Sequence, residues 1–167
     1  MKKTIVFLFL MFVSLQSFSQ GLKIVTGHPD FKVKITRCEA NGSTAVIDMV
    51  IENAGNNDVL ITMWGGRSCW GTPHDMSVAY DDEGNKYTGE NDFKVSIGKS
   101  GLSKCFGVEE VIPSDIPLKA RIQLEGVPES ANEFRRIDLI IDSEAWGLND
   151  KKPVKFTNVP ISRDGDD

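Results

Sequence analysis

The chain has 167 residues and carries 24 Asp and Glu against 19 Lys and Arg, for a net charge of -5 at pH 7. That length fits one domain, and an acidic chain with no basic stripe argues against a nucleic-acid partner or an anionic membrane surface. Only two histidines are present, which starves any zinc site built on several imidazoles.

The first element is a leader. Met1-Lys2-Lys3 is a short positive start, Thr4 to Leu15 is almost wholly apolar, and Ser17 and Ser19 place small residues just before Gln20. This order predicts a secretory signal peptide over residues 1–19. The apolar run is too short for a spanning helix, which needs about 20 residues, and no second run follows. The expectation is an extracytoplasmic protein, periplasmic or secreted, with no membrane span. Losing Lys2 and Lys3 leaves 17 basic against 24 acidic residues, a net charge of -7 over roughly 148 residues. Residues 20–161 form the expected domain, and 162–167 an acidic, frayed tail.

Short runs of alternating apolar residues then recur between Gly, Asn, Asp and Pro. Phe31, Val33 and Ile35 alternate at period two, and Asn41-Gly42 signals a hairpin. Ala45, Ile47, Met49 and Ile51 line one face of the next strand. Val59 to Met63 is a short strand, followed by an irregular loop from Trp64 to Asp75. Met76 to Tyr80 resumes as strand, and Asp81 to Asn85 turns the chain back to Tyr87. Phe93, Val95 and Ile97 alternate again, and Cys105 to Ile112 follows. Leu118, Ala120, Ile122 and Leu124 interleave with charged and polar residues, as in a half-solvated antiparallel sheet. Phe134 to Asp142 and Val154 to Ile161 supply the last strands, with one turn over Pro128 to Phe134. No stretch beyond the leader has a sustained helical period. Eight or nine strands at this spacing predict an all-β fold, a two-sheet antiparallel immunoglobulin-like sandwich.

Val50-Ile51-Glu52-Asn53-Ala54-Gly55, Tyr80 to Tyr87, and Ile112-Pro113 with Ile116-Pro117-Leu118-Lys119 give the chain a resemblance. They are similar to the strand ends and central hairpin of bacterial extracellular immunoglobulin-like domains related to the mycobacterial immunoprotective antigen. The likeness runs over roughly Phe31 to Ile141, and the leader resembles those of Bacteroidota. It implies an immunoglobulin-like sandwich and an extracytoplasmic life, and it brings no active site. Antibody-type domains carry a Tyr two residues before the second core Cys; Ser103 holds that place ahead of Cys105. Cys38 falls out of phase with Phe31, Val33 and Ile35, so it is expected to face away from their core.

Three segments are candidates for chemistry. The loop around Trp64, Arg67 and Trp70 combines two indoles and a guanidinium with flexible glycines, a composition suited to binding a protein or glycan; the alternative is that the rings fold back over an open end of the sandwich. Cys69 and Cys105 are the first disulfide candidates, with Cys38–Cys105 or no bridge as alternatives. A Cys69–Cys105 bridge would close about 37 residues and contribute about 4 kcal/mol in the chain-entropy view. Met63, His74 and Met76 offer thioether and imidazole ligands of the kind that select Cu(I), and the His-x-Met spacing resembles part of the motif of periplasmic copper chaperones. Asp81 to Asn85 lacks the alternating acidic positions of a calcium loop, and reads as a turn in which Gly84 takes a positive φ. Gly98-Lys99-Ser100 lacks the first glycine of a phosphate loop.

The resulting expectation is a monomeric, exported, non-catalytic binding or cell-envelope interaction module without a cofactor, with an unknown protein or glycan partner. A Cu(I)-handling protein is the alternative, and a hydrolase with a loop-borne site is third, for want of a nucleophile–base pair.

Overall fold

Period-two alternation builds the two sheets of this protein, seen in a computed structural model that describes residues 21–66, 76–88, 92–103, 107–143 and 153–163. Residues 1–20 and 164–167 fall outside them. Twelve strands run in chain order: β1 (Lys23–Val25), β2 (Phe31–Asn41), β3 (Thr44–Asn53), β4 (Val59–Trp64), β5 (Val78–Asp81), β6 (Lys86–Tyr87), β7 (Phe93–Ile97), β8 (Val108–Ile112), β9 (Leu118–Glu125), β10 (Glu133–Asp142), β11 (Pro153–Pro160) and β12 (Ser162–Arg163). Sheet I has the order β1-β11-β10-β4-β8, with β5 also on β10 and β6 on β5; sheet II has the order β12-β2-β3-β9-β7. Neighbours are antiparallel except β12, which lies parallel to β2. The fold is an all-β sandwich of two sheets. Among the described residues no helix is long and apolar enough to cross a membrane.

Alternation places one face of each sheet in a shared core. Ala45, Ile47, Met49 and Ile51 of β3 meet Phe93, Val95 and Ile97 of β7 and Ile122 and Leu124 of β9. Sheet I contributes Ile61, Met63, Ile137, Leu139, Ile141 and Phe156. Full burial of one such side chain stabilises the fold by about 1.5–3 kcal/mol.

Two expectations need correction. Cys38 is 7% exposed and belongs to the core. The cause is a bulge in β2: Ile35 pairs with Met49 but Arg37 pairs with Asp48, so Thr36 is an extra residue. One extra residue reverses which face each later side chain takes, and Thr36 and Arg37 are exposed in succession before Cys38 turns inward. The thiol is free, which removes the Cys38–Cys105 pairing, and burial pushes it up to about 12. The ordered chain also continues past Ile161. Ser162 and Arg163 pair with Glu39 and Ala40, and the Arg163 guanidinium donates to the carbonyls of Pro128 and Ala131 at 2.7 and 3.1 Å.

The turns follow the expected chemistry. Gly42, at φ 56°, and Ser43 close the β2–β3 hairpin between Asn41 and Thr44. Gly84 takes φ 87° between β5 and β6. The Asp81 carboxylate anchors that turn. It accepts from the backbone N–H groups of Glu83 and Asn85 at 3.0 and 2.8 Å, from Asn85 Nδ2 at 2.8 Å and from the Tyr87 hydroxyl at 2.6 Å. Tyr87 in turn meets Phe134 edge-on at 5.8 Å.

Candidate functional site

Sheet I contains a strand that is broken in the middle. Met63 and Trp64 of β4 pair with Ile141 and Ile140, and Val78 and Ala79 of β5 pair with Asp138 and Ile137, in the same antiparallel sense. So β4 and β5 are two halves of one strand laid along β10. On β10 a single residue, Leu139, separates the two paired stretches. On the other side thirteen residues of sequence, 65–77, separate Trp64 from Val78. Twelve residues are therefore inserted into the strand, and they include Arg67, Cys69, Trp70 and His74.

The base of this insertion is clamped. Ser77 is fully buried; its hydroxyl donates to the Trp64 carbonyl at 2.6 Å and accepts from the Ile140 N–H at 2.9 Å. The Ser77 N–H donates to the Gly65 carbonyl at 3.2 Å, and the Gly66 N–H reaches across to the Phe93 carbonyl of sheet II at 3.1 Å. Two backbone segments enter and leave side by side, held by four hydrogen bonds.

Trp64 is half-buried on the outer face of sheet I, beside its cross-strand neighbour Ile140. Ile140 is 4% exposed although Leu139 and Ile141, on either side of it, are the ones in the inter-sheet core. Its side chain is thus covered on the outer face. The Trp64 ring lies against Gly107, where an added Cβ would stand 3.1–3.2 Å from the indole. A glycine here lets a large ring lie flat on the neighbouring strand. Trp64 therefore packs along the sheet rather than over an open end of the sandwich.

The other candidates separate. Met63 is fully enclosed in the core, opposite Ile141 and Val108, whereas Met76 is 42% exposed at the return of the insertion. Arg67, Cys69, Trp70, His74 and Cys105 lie outside the described residues. Among the described residues no three His, Cys, Asp or Glu side chains are grouped to hold a metal ion. His28 accepts from the Asp30 N–H at 3.2 Å.

The outer faces of the two sheets differ in charge arrangement. On sheet II, cations and acids mostly neutralise each other. Asp48 accepts from Arg37 and Arg121, each at 2.7 Å, Arg37 also meets Glu39 at 2.7 Å, and Lys94 meets Glu125 at 3.0 Å. The Asp48 carboxyl is desolvated, yet the hydrogen bonds from Arg121 and Arg37 outweigh that and hold it below its ordinary value. Hydrogen bonds from Gln123, Lys94 and Thr44 push Glu125 down to about 2. Of the seven cations on the described strands of this sheet, Lys34 and Lys119 have no acidic partner, and Arg163 donates to backbone carbonyls.

Sheet I instead aligns cations. Successive pairings put Lys23, Thr157, Arg136, Tyr80 and Lys86 in one row across β1, β11, β10, β5 and β6. Their neighbours Ile24, Phe156, Ile137, Ala79 and Tyr87 face the core, so the row faces outward. Sequence reading missed this row because each cation comes from a different part of the chain; β1, only three residues long, was not expected, and Lys86 was read only as part of the return to Tyr87. A groove of about 500 Å³ opens at one end, lined by Lys23, Val25, Arg135, Lys155 and Thr157.

No family model matches this sequence, and no curated protein matches it. Among solved structures, the chain is similar to the ASH/PapD-like domain 7 of human CEP192, at 15% identity and a TM-score of 0.36, over 83% of this chain and 88% of that one. It is also similar to part of a family 123 glycoside hydrolase from Clostridium perfringens, at 11% identity and a TM-score of 0.40, over 86% of this chain and 27% of that one.

Proposed function

We propose that this protein is an exported, non-catalytic, monomeric β-sandwich acting as a binding or cell-envelope interaction module, and that it recognises its partner through residues 65–77 and the outer face of sheet I around them. One observation carries the reading: twelve residues interrupt a central strand of the sheet, and a buried hydroxyl clamps their base. A loop on a rigid scaffold is where binding residues concentrate, and an insertion within a strand costs sheet pairing that a plain connection would keep. Its composition suits recognition, since Arg and Trp are the residues that anchor interfaces.

Trp64 is a poor probe, since its ring also packs against Gly107. Arg67→Ala and Trp70→Ala test the reading. Labelled mature domain is titrated onto isolated envelopes of the producing cells. Saturable binding that weakens about tenfold or more in each variant, at an unchanged melting temperature, is expected. Equal binding by wild type and both variants would remove the loop from the account.

A further inference from the structure

The row on sheet I has a chemistry of its own. Lys23, Arg136 and Lys86 stand on every second lane, and lanes in a sheet are about 4.8 Å apart, so the cations repeat at about 10 Å. Lys23, Lys86 and Lys155 make no ion pair. Arg136 is paired with Asp138, donating from Nε at 3.0 and 2.9 Å, and Arg135 is paired with Glu133 at 2.9 Å. On β1, β11, β10, β5 and β6 five outward cations thus stand against three outward acids, Glu133, Asp138 and Asp142, in a chain whose net charge is -5. Tyr80, half-buried between Arg136 and Lys86, adds an aromatic surface with a polar tip.

We infer that this row binds an acidic polysaccharide, with carboxylates set against Lys23, Arg136 and Lys86 and a sugar ring against Tyr80. Charge density selects the occupant. A nucleic-acid strand carries one phosphate per about 3.4 Å, three times denser than the row can neutralise, and the surrounding acids would repel the surplus. A glycan with one carboxylate on every second sugar is sparse enough to match. The inference deepens the proposed binding role by naming a ligand class for the face beside the insertion.

Hyaluronan oligosaccharides are the probe, titrated at low salt by calorimetry against the mature protein, with neutral dextran oligosaccharides and oligo-dT in parallel. Hyaluronan binds, salt weakens it, and dextran does not bind. The double variant Lys23→Gln/Lys86→Gln binds about tenfold more weakly, which is what losing two exposed ion contacts gives, and Tyr80→Ala weakens binding as well. Lys34→Gln/Lys119→Gln on sheet II changes net charge by the same amount and leaves binding intact. Absence of hyaluronan binding, tighter binding of oligo-dT, or equal loss in both double variants would overturn the inference. Envelope binding that still depends on Arg67 and Trp70 would then leave the loop reading standing; glycan binding with no such dependence would remove the loop and keep the row.

Discussion

Replacing Ser77 with alanine removes the clamp at the base of the insertion. Its hydroxyl donates to the Trp64 carbonyl and accepts from the Ile140 N–H, both out of water. Alanine leaves a buried donor without an acceptor, at a cost of about 1–3 kcal/mol, and weakens satisfaction of a carbonyl that still has a second lone pair. The lost oxygen leaves only a small void, so the sum is about 2–3 kcal/mol. For a domain of this size that lowers the melting temperature by about 4–12 °C. Urea unfolding gives the free energy with an unchanged m-value, and hydrogen exchange reads the site directly. The Ile140 amide, protected in the wild type by Ser77, exchanges faster in Ser77→Ala by more than the global loss of stability accounts for, because the opening is local. A loss below about 0.5 kcal/mol, the range of ordinary surface substitutions, would refute the clamp.

Other consequences follow from the same contacts. Asp81→Ala strands the Tyr87 hydroxyl and two turn N–H groups and costs about 3–5 kcal/mol by urea unfolding; Tyr87→Phe costs less, and the double variant falls short of the sum. Asp48, Asp81 and Glu125 all have folded pKa values below their ordinary ones, so each stabilises the protein above its unfolded pKa and ceases to as pH falls through the folded one. Melting temperature is therefore flat above about pH 5 and falls between pH 4.5 and about 2, the interval of Glu125; solvent screening at a side chain 30% exposed holds the Glu125 share to about 1 kcal/mol. A melting temperature that rises on acidification would contradict this. Gly107→Ala drives a methyl into Thr62 Cγ2 and the Trp64 ring and costs about 1–3 kcal/mol, part of which Thr62→Ser restores by removing that methyl. Cys38 resists iodoacetamide at pH 8 in the folded protein and reacts fully in urea, as peptide mass spectrometry of the Cys38 segment reads out; fast native labelling would place it outside the core.

Much of the fold was legible because each long strand carries its own record of which face is buried. β3, β7 and β9 alternate without interruption, and their inward residues could be named from spacing alone. Cys38 was misplaced because a bulge leaves no mark in composition: Thr36 looks like any outward residue, and only its pairing with β3 reveals that it is extra. Trp64 and Met63 adjoin in sequence yet take opposite faces, so the metal set began on a core residue and the loop on one packed along the outer face. The collinearity of β4 and β5 is a property of β10, which supplies the shared register. It could not be read from the segment that is interrupted. The same holds for the row of Lys23, Arg136 and Lys86, assembled from positions up to 113 residues apart. Net charge described the whole molecule correctly and said nothing of one face.

The central claim is that recognition takes place on sheet I around the insertion. Backbone amide shifts of the isotope-labelled mature protein, titrated with solubilised envelope material, test it most directly. Perturbations gathered on β5, β10, β11 and residues 65–77, with β2, β3 and β9 unmoved, are the predicted result. Perturbations centred on the Arg37–Asp48–Arg121 face of sheet II would contradict it.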